Sequence, residues 1–343
     1  MQAWRKKTPS ELRRDPVSQN WIVIATGRAR RPDSFAKEKR TDWRVSKKDC
    51  PFEHLQDEHP RLVFFRGKKV EIAPKAGTPA NWTTLSIPNK YPAFSVGKKL
   101  NARNIGPYQV MDGIGFHEVV ITRDHEKDIP QFSLSKVKEL IDLYQERYLD
   151  LMNEPLVNYV AIFKNKGPAA GASVAHPHSQ IIAVPVTDPD VEQSLKGSLH
   201  FWKAHKKCAH CLMIAWDRKE KKRVVFENDC YIAFCPFAYI QAFEIRLYPK
   251  NHFAYFERAD DREKQCLAEV FLRTLQKLEK ALNDPDYNYF LHTAPADGKN
   301  YDYYHWHFEI LPKTGTWGGF ELGTGVKIST IEPETAAAFL RKQ

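Results

Sequence analysis

The chain has 343 residues, 42% of them hydrophobic and 27% charged, with a formal net charge of +10; this is enough for one large domain or two ordinary ones in a soluble globular protein. No run of eighteen apolar residues occurs and residues 1–14 are polar and basic, so neither a membrane span nor a signal peptide is expected, and the protein is read as cytoplasmic. Six cysteines at this length do not read as a disulfide scaffold, which favours a reducing compartment.

Residues 1–48 hold fourteen Lys and Arg against five Asp and Glu. Such a basic front fits nucleic acid, a phosphorylated small substrate or a solvated surface; with no RNA- or DNA-binding signature beside it, no nucleic-acid partner is expected. A turn signal, Asp15-Pro16-Val17-Ser18, leads into the apolar run Trp21 to Ala25, which predicts a strand. Arg28 and Arg31 follow directly, placed either to fork onto phosphate oxygens or to form a basic surface turn.

After a polar stretch comes Cys50-Pro51-Phe52-Glu53-His54, an incomplete metal-ligand spacing. Strands are predicted at 62–65 and 83–87, followed by a turn over 88–94 that carries Asn89. Another strand, 115–121, has His117 at its start. A helix follows from a Ser133 cap, with Val137, Leu140, Ile141, Tyr144, Tyr148 and Leu151 at helical spacing. Residues 158–163 form a strand and 165–173 a loop of small residues that lets backbone amides approach an anion. Next comes Ala175-His176-Pro177-His178-Ser179-Gln180, read as a strand with His176, His178 and Gln180 on one face.

The second half repeats this plan. Asn153, Pro155, Asn158 and Tyr159 recur 130 residues on as Asn283, Pro285, Asn288 and Tyr289, and His176-Pro177-His178 recurs 129 residues on as His305-Trp306-His307. The second helix is capped by Asp260 with Glu263 three residues later, a capping box. The chain is therefore expected to be an α+β protein of two tandem units, 1–187 and 188–343, with antiparallel sheets and helices packed on them. Glu309 stands in the second unit where Gln180 stands in the first.

Each unit supplies the ingredients of one metal site. Cys208, Cys211, His252 and His305 make a Cys₂His₂ set suited to tetrahedral zinc, with His292 and His307 as alternative ligands. The first unit offers Cys50, Glu53, His117 and His176, with His54 competing with Glu53. Assigning His176 to metal leaves His178 as a neutral imidazole able to attack phosphorus and form a phosphoramidate. Gln180 would hold a phosphate oxygen. The competing chemistry is metal-activated water, which needs an open metal position.

These residues together resemble the galactose-1-phosphate uridylyltransferase family of the histidine triad superfamily, over a stretch running from about Asp15 to the C-terminus. The match is carried by Asp15-Pro16-Val17-Ser18 with Trp21, by Arg28 and Arg31-Pro32, and by Gly115 to Val120. Further on it is carried by Asn165-Lys166-Gly167 through Gly171 and Ser173, by His176 to Gln180, and by His305-Trp306-His307. The resemblance implies two fused histidine triad units, a homodimer with shared sites, and ping-pong transfer of a nucleotidyl group. By position it implies His178 as nucleophile, Gln180, Asn165, Gly171 and Ser173 at phosphate, Arg28, Arg31 and Asn89 at the nucleotide, and Cys50, His117 and His176 as zinc ligands.

Glu53 replaces the family's usual second cysteine. Residues 318–325, with Phe320 as a candidate substrate contact, replace the lysine-phenylalanine stretch of galactose-specific members. The leading expectation is UDP-glucose:hexose-1-phosphate uridylyl transfer. The second is the activity of a similar sister branch, ADP-sugar phosphorylase, with phosphate as acceptor.

Overall fold

A computed structural model describes residues 9–25, 43–73 and 75–343. Along the chain run β1 (Glu11–Arg14), β2 (Trp21–Ile24), β3 (Leu62–Phe65), β4 (Lys68–Lys69), β5 (Thr84–Pro88), β6 (Arg103–Ile105), β7 (Tyr108–Val110) and β8 (Phe116–Thr122), then helix α1 (Leu134–Leu151). The first unit ends with β9 (Tyr159–Lys166) and β10 (His178–Val184). The second contains α2 (Pro189–His205), α3 (Ala209–Glu220), β11 (Val224–Glu227), β12 (Tyr231–Phe234), β13 (Ile245–Pro249), α4 (Asp261–Leu282), β14 (Tyr287–His292) and β15 (His307–Pro312). It closes with α5 (Gly319–Thr324), β16 (Lys327–Ser329) and α6 (Pro333–Arg341).

The repeat read from the sequence becomes one continuous sheet. Eleven strands lie in the order β11-β12-β13-β15-β14-β9-β10-β8-β5-β3-β4. The inner six are two copies of one motif: β8, α1, β9 and β10 in the first unit correspond to β13, α4, β14 and β15 in the second. The copies meet where β14 pairs antiparallel with β9, Asn288 facing Asn165 and Phe290 facing Phe163. Antiparallel pairing at the seam gives each unit's edge strand a partner, so neither exposes an open ladder inside the molecule.

Helix placement follows from caps and apolar spacing. The Ser133 side chain accepts from Lys136 N to start α1, and Asp260 and Glu263 form the reciprocal capping box that starts α4. Both helices lie on one face of the sheet, joined to each other by Lys138–Asp261 at 2.7 Å and by the largely buried pair Lys264–Asp142 at 2.8 Å. Beneath them a single core contains Val137, Leu140, Tyr144, Leu267, Phe271 and Leu275 together with Ile162 and Ile181. A smaller cluster on the opposite face holds Tyr159, Val184, Leu195 and Tyr304.

The predicted turn over residues 15–18 is an Asx turn, with Asp15 Oδ1 accepting from Val17 N and Ser18 N at 2.8 and 2.7 Å. It closes the β1–β2 hairpin, whose second strand pairs in parallel with β16 and so ties the front of the chain to its C-terminal segment. Two features differ from the sequence reading. The strand predicted from residue 176 begins at His178, leaving His176 in the connection ahead of it. Cys230 and Cys266 form a disulfide, Cα atoms 5.9 Å apart, because the β11–β12 turn packs on α4. No helix among the described residues is long and apolar enough to cross a membrane.

Candidate active site

Alternation along β10 sorts its side chains. Ser179, Ile181 and Ala183 face the helices, Ile181 and Ala183 in the core and Ser179 accepting a hydrogen bond from Tyr144 Oη at 2.6 Å. His178 and Gln180 project from the other face. The His178 Nδ1–H donates to the backbone oxygen of His176 at 2.9 Å, which leaves the Nε2 lone pair outward. Nε2 has no hydrogen-bonding partner among the described residues. The Phe52 ring lies edge-on to the imidazole with centroids 5.1 Å apart. Burial lowers the pKa of His178 to about 4, so the ring is neutral.

The donors expected at the first metal site do not all converge. Donor atoms of Cys50, His176 and His125 lie within 4.8 Å of one another. Glu53 Oε1 stands 3.1 Å from His125 Nδ1 and 3.8 Å from His176 Nδ1. His117, the expected fourth ligand, belongs elsewhere. It is the second residue of β8 while His125 lies three residues past its end, and five strand steps separate His117 from the last strand residue, roughly 17 Å at 3.3 Å per residue. The marker was in the sequence: His252 follows β13 by the same three residues. His54 is turned away, its Nε2 2.9 Å from the Lys48 carbonyl.

The second expected set is assembled, with donor atoms of Cys208, Cys211, His252 and His305 within 4.8 Å of one another. Cys211 Sγ lies 3.3 Å from His252 Nδ1 and 3.5 Å from His305 Nδ1. The alternatives His292 and His307 form a separate cluster with Glu309.

Both sets fit a metal by the same device. Each imidazole of the two sets turns Nδ1 inward and gives Nε2 to a backbone carbonyl: His125 to Val45 at 2.9 Å, His176 to Thr122 at 2.8 Å, His252 to Asp302 at 2.6 Å and His305 to Pro249 at 2.9 Å. That outer bond fixes the tautomer a metal requires. Sulfur and nitrogen donors match zinc, with one oxygen donor added in the first set.

The loop expected to meet phosphate is held largely by the second unit. Asn288 Nδ2 donates to Asn165 Oδ1 and to the Ala170 carbonyl, both at 2.8 Å. Asp286 Oδ2 accepts from Ala169 N at 2.8 Å. Gly167, at φ +82°, sits so close to the Asp286 carboxylate that a Cβ would overlap it. Gly171 also has positive φ, and Ser173 is exposed. Asn288 and Asp286 were not among the expected site residues; Asn288 was visible only as a repeat marker. A cavity of about 860 Å³ opens beside this loop, bounded by Asn165, Gly167, Pro177, Asp286 and Lys313.

Asn89 lies against His117 on the His178 face, its amide nitrogen 3.0 Å from the ring. Phe320 is half exposed on α5, with no hydrogen bond or ring contact to His178 or Gln180 among the described residues. Arg28 and Arg31 lie outside the described residues.

Comparison with known proteins places this geometry among relatives. Residues 1–187 match the family model described as galactose-1-phosphate uridyl transferase, N-terminal domain, and residues 113–342 match a domain of unknown function, DUF4921. The chain is 32% identical over 341 residues to an ADP-glucose phosphorylase of Arabidopsis thaliana, covering 97% of this chain and 92% of that one. It is 26% identical to a galactose-1-phosphate uridylyltransferase of Thermotoga maritima, covering 97% and 98%. Among solved structures, the Arabidopsis thaliana ADP-glucose phosphorylase with bound ADP-glucose superimposes with a TM-score of 0.80 at 30% identity, covering 98% and 99% of the two chains. A uridylyltransferase structure gives 0.72 at 29% identity, covering 97% of each.

Proposed function

Because the chain belongs to the galactose-1-phosphate uridyl transferase family and so to its nucleotidyl-transferring enzymes, we propose that it moves a nucleoside monophosphate from a sugar nucleotide through His178, with an ADP-sugar as donor and inorganic phosphate as acceptor. One observation carries the chemistry: His178 is anchored through Nδ1 and presents, on the face it shares with Gln180, an Nε2 with no partner among the described residues. Nε2 attacks the α-phosphorus, the P–N bond forms, and the bond to the sugar phosphate breaks with sugar 1-phosphate leaving. A phosphate oxygen then attacks the same phosphorus, the P–N bond breaks, and a nucleoside diphosphate departs with His178 restored. Gln180 donates to a non-bridging oxygen as charge builds on it.

The preference for an ADP-sugar reverses the order expected from the sequence. It is supported by the 32% identity to an ADP-glucose phosphorylase and the 0.80 superposition on the form holding ADP-glucose. Transfer of UMP from UDP-glucose to a hexose 1-phosphate is the second reading, supported by the family model and by the Thermotoga maritima relative.

Zinc is part of this proposal at Cys50, Glu53, His125 and His176 and at Cys208, Cys211, His252 and His305, where it would neutralise thiolate charge and pin each hook to its sheet. The first site would thus fix the position of the His176 carbonyl that orients His178. A homodimer is proposed as well, with the exposed apolar side chains Val96, Ile105 and Tyr108 around the β6–β7 hairpin as its surface. Sedimentation of a monomer at every concentration would remove that part.

The deciding experiment incubates the protein with ADP-glucose or UDP-glucose and measures the mass of the peptide containing His178. The expected result is an AMP adduct that phosphate discharges as ADP. A UMP adduct discharged by hexose 1-phosphate would select the second reading, and no adduct from either donor would overturn nucleotidyl transfer through His178.

A further inference from the structure

His117 is not a metal ligand, and its place in the sheet gives it another task. In the β8–β10 register His117 faces Ile182 and Val119 faces Gln180, so His117 and Gln180 are diagonal neighbours on the His178 face. His117 Nδ1 accepts from the backbone N–H of Ala93 at 3.1 Å, which puts the ring proton on Nε2. That Nε2–H donates to Gln180 Oε1 at 2.7 Å. The Asn89 amide nitrogen, 3.0 Å from the same Nε2, is then a contact between two donors, since the Asn89 oxygen is already taken by Tyr91 N at 2.9 Å.

We infer that His117 is a positioning residue that fixes the orientation of the Gln180 carboxamide, turning its NH₂ rather than its oxygen toward the phosphate carried by His178. The two ends of a carboxamide are nearly the same shape but opposite in hydrogen-bonding sense. Turned round, Gln180 would set an acceptor against an ionised phosphate oxygen. No other side chain among the described residues hydrogen-bonds this amide, so His117 alone settles the choice. The polarity runs in one direction: Ala93 N–H to His117 Nδ1, His117 Nε2–H to Gln180 Oε1, Gln180 NH₂ to phosphate. Through Ala93, and through Asn89 N donating to the His117 carbonyl at 2.8 Å, the turn after β5 is tied to the same chain.

The second unit solves the equivalent problem with charge. Glu309, opposite Arg246 in the β13–β15 register, is gripped by that arginine at 3.0 Å and offers only acceptors. A neutral donor such as His117 suits an amide whose other end must remain free to donate.

This inference rests on nucleotidyl transfer at His178, and its test is the rate of His178 nucleotidylation at saturating sugar nucleotide in wild type, His117→Phe, Gln180→Ala and the double variant. His117→Phe is expected to slow the step about tenfold with little change in half-saturating concentration or melting temperature. In the Gln180→Ala background it is expected to cost nothing further, and His117→Asn, which keeps an N–H donor, is expected to recover part of the rate. If His117→Phe does not fold, His117→Leu takes its place in the cycle. A tenfold loss that repeats undiminished without Gln180, or a wild-type rate in His117→Phe, overturns the positioning role while leaving the transferase intact. A wild type that takes up no nucleotide from ADP-glucose or UDP-glucose overturns both.

Discussion

His178 on β10 and His307 on β15 occupy equivalent places, yet only one has its second ring nitrogen bound to a side chain among the described residues. Each donates from Nδ1 to the carbonyl two residues before it, at 2.9 and 3.2 Å, and burial lowers the pKa of each to about 4. Charge state therefore does not separate them; the second ring nitrogen does. His307 Nε2 is 3.2 Å from Glu309 Oε1, and Glu309 is held by Arg246, which also reaches Glu244 at 2.9 Å and Asp15 at 3.4 Å. His178 Nε2 has no such partner among the described residues. Two rings with one backbone geometry differ at Nε2, and two residues on, one copy has a neutral amide, Gln180, where the other has a carboxylate, Glu309. From the second copy Asn288 and Asp286 reach across the β9–β14 seam to hold the first copy's loop.

Substitutions at paired positions are the sharpest way to break this comparison. The largest effect is expected from His178→Asn, which should remove the adduct and lower turnover on the order of 10⁴-fold or more, while His307→Asn should still form the adduct; equal losses would mean that both copies react. Gln180→Glu imports the second copy's carboxylate beside the transferred phosphate and should slow nucleotidylation on the order of 10²-fold, read by rapid quench. A rate within twofold of wild type would show that this amide does not meet phosphate.

Metal content tests the two hooks. Two zinc ions per chain are expected, falling to one in Cys211→Ser, with a melting temperature lower by roughly 5–10 °C. Elemental analysis finding unchanged zinc would move the second site elsewhere.

A smaller difference separates the two long helices. Glu139 on α1 is buried against Thr83, Thr84 and Lys136, whereas α4 buries no acidic residue. Burial works to raise the Glu139 pKa, but hydrogen bonds from Thr84 and Lys136 outweigh it and leave it below the ordinary glutamate value. A depressed carboxylate pKa contributes stability that is present above the unfolded value and lost as pH falls through the folded one. Wild type should therefore lose melting temperature more steeply than Glu139→Gln below about pH 4.5, by roughly 2–4 °C. Parallel curves would show that Glu139 gains nothing from its charge.

Much of this was legible in the residues. The Asp15 turn, the Ser133 cap and the Asp260–Glu263 capping box depend on contacts a few residues apart, and each occurs where the local pattern placed it. The second metal set was legible because its two cysteines are three apart on one helical turn and its two histidines closely follow or precede strands. His125 was missed because His117 and His125 flank the same strand, and the choice between them depends on where residues 50–53 dock. Nothing near either histidine encodes that.

The sequence by itself determined the elements, their faces and the duplication, because periods of two and of 3.6 residues and short-range caps fix what each segment buries. Only the tertiary structure decided which end of β8 meets the Cys50 hook, that two sheets join through β9 and β14, and that His117 holds Gln180. Each of those depends on strand register between distant segments, and a shift of one residue would turn every side chain to the other face.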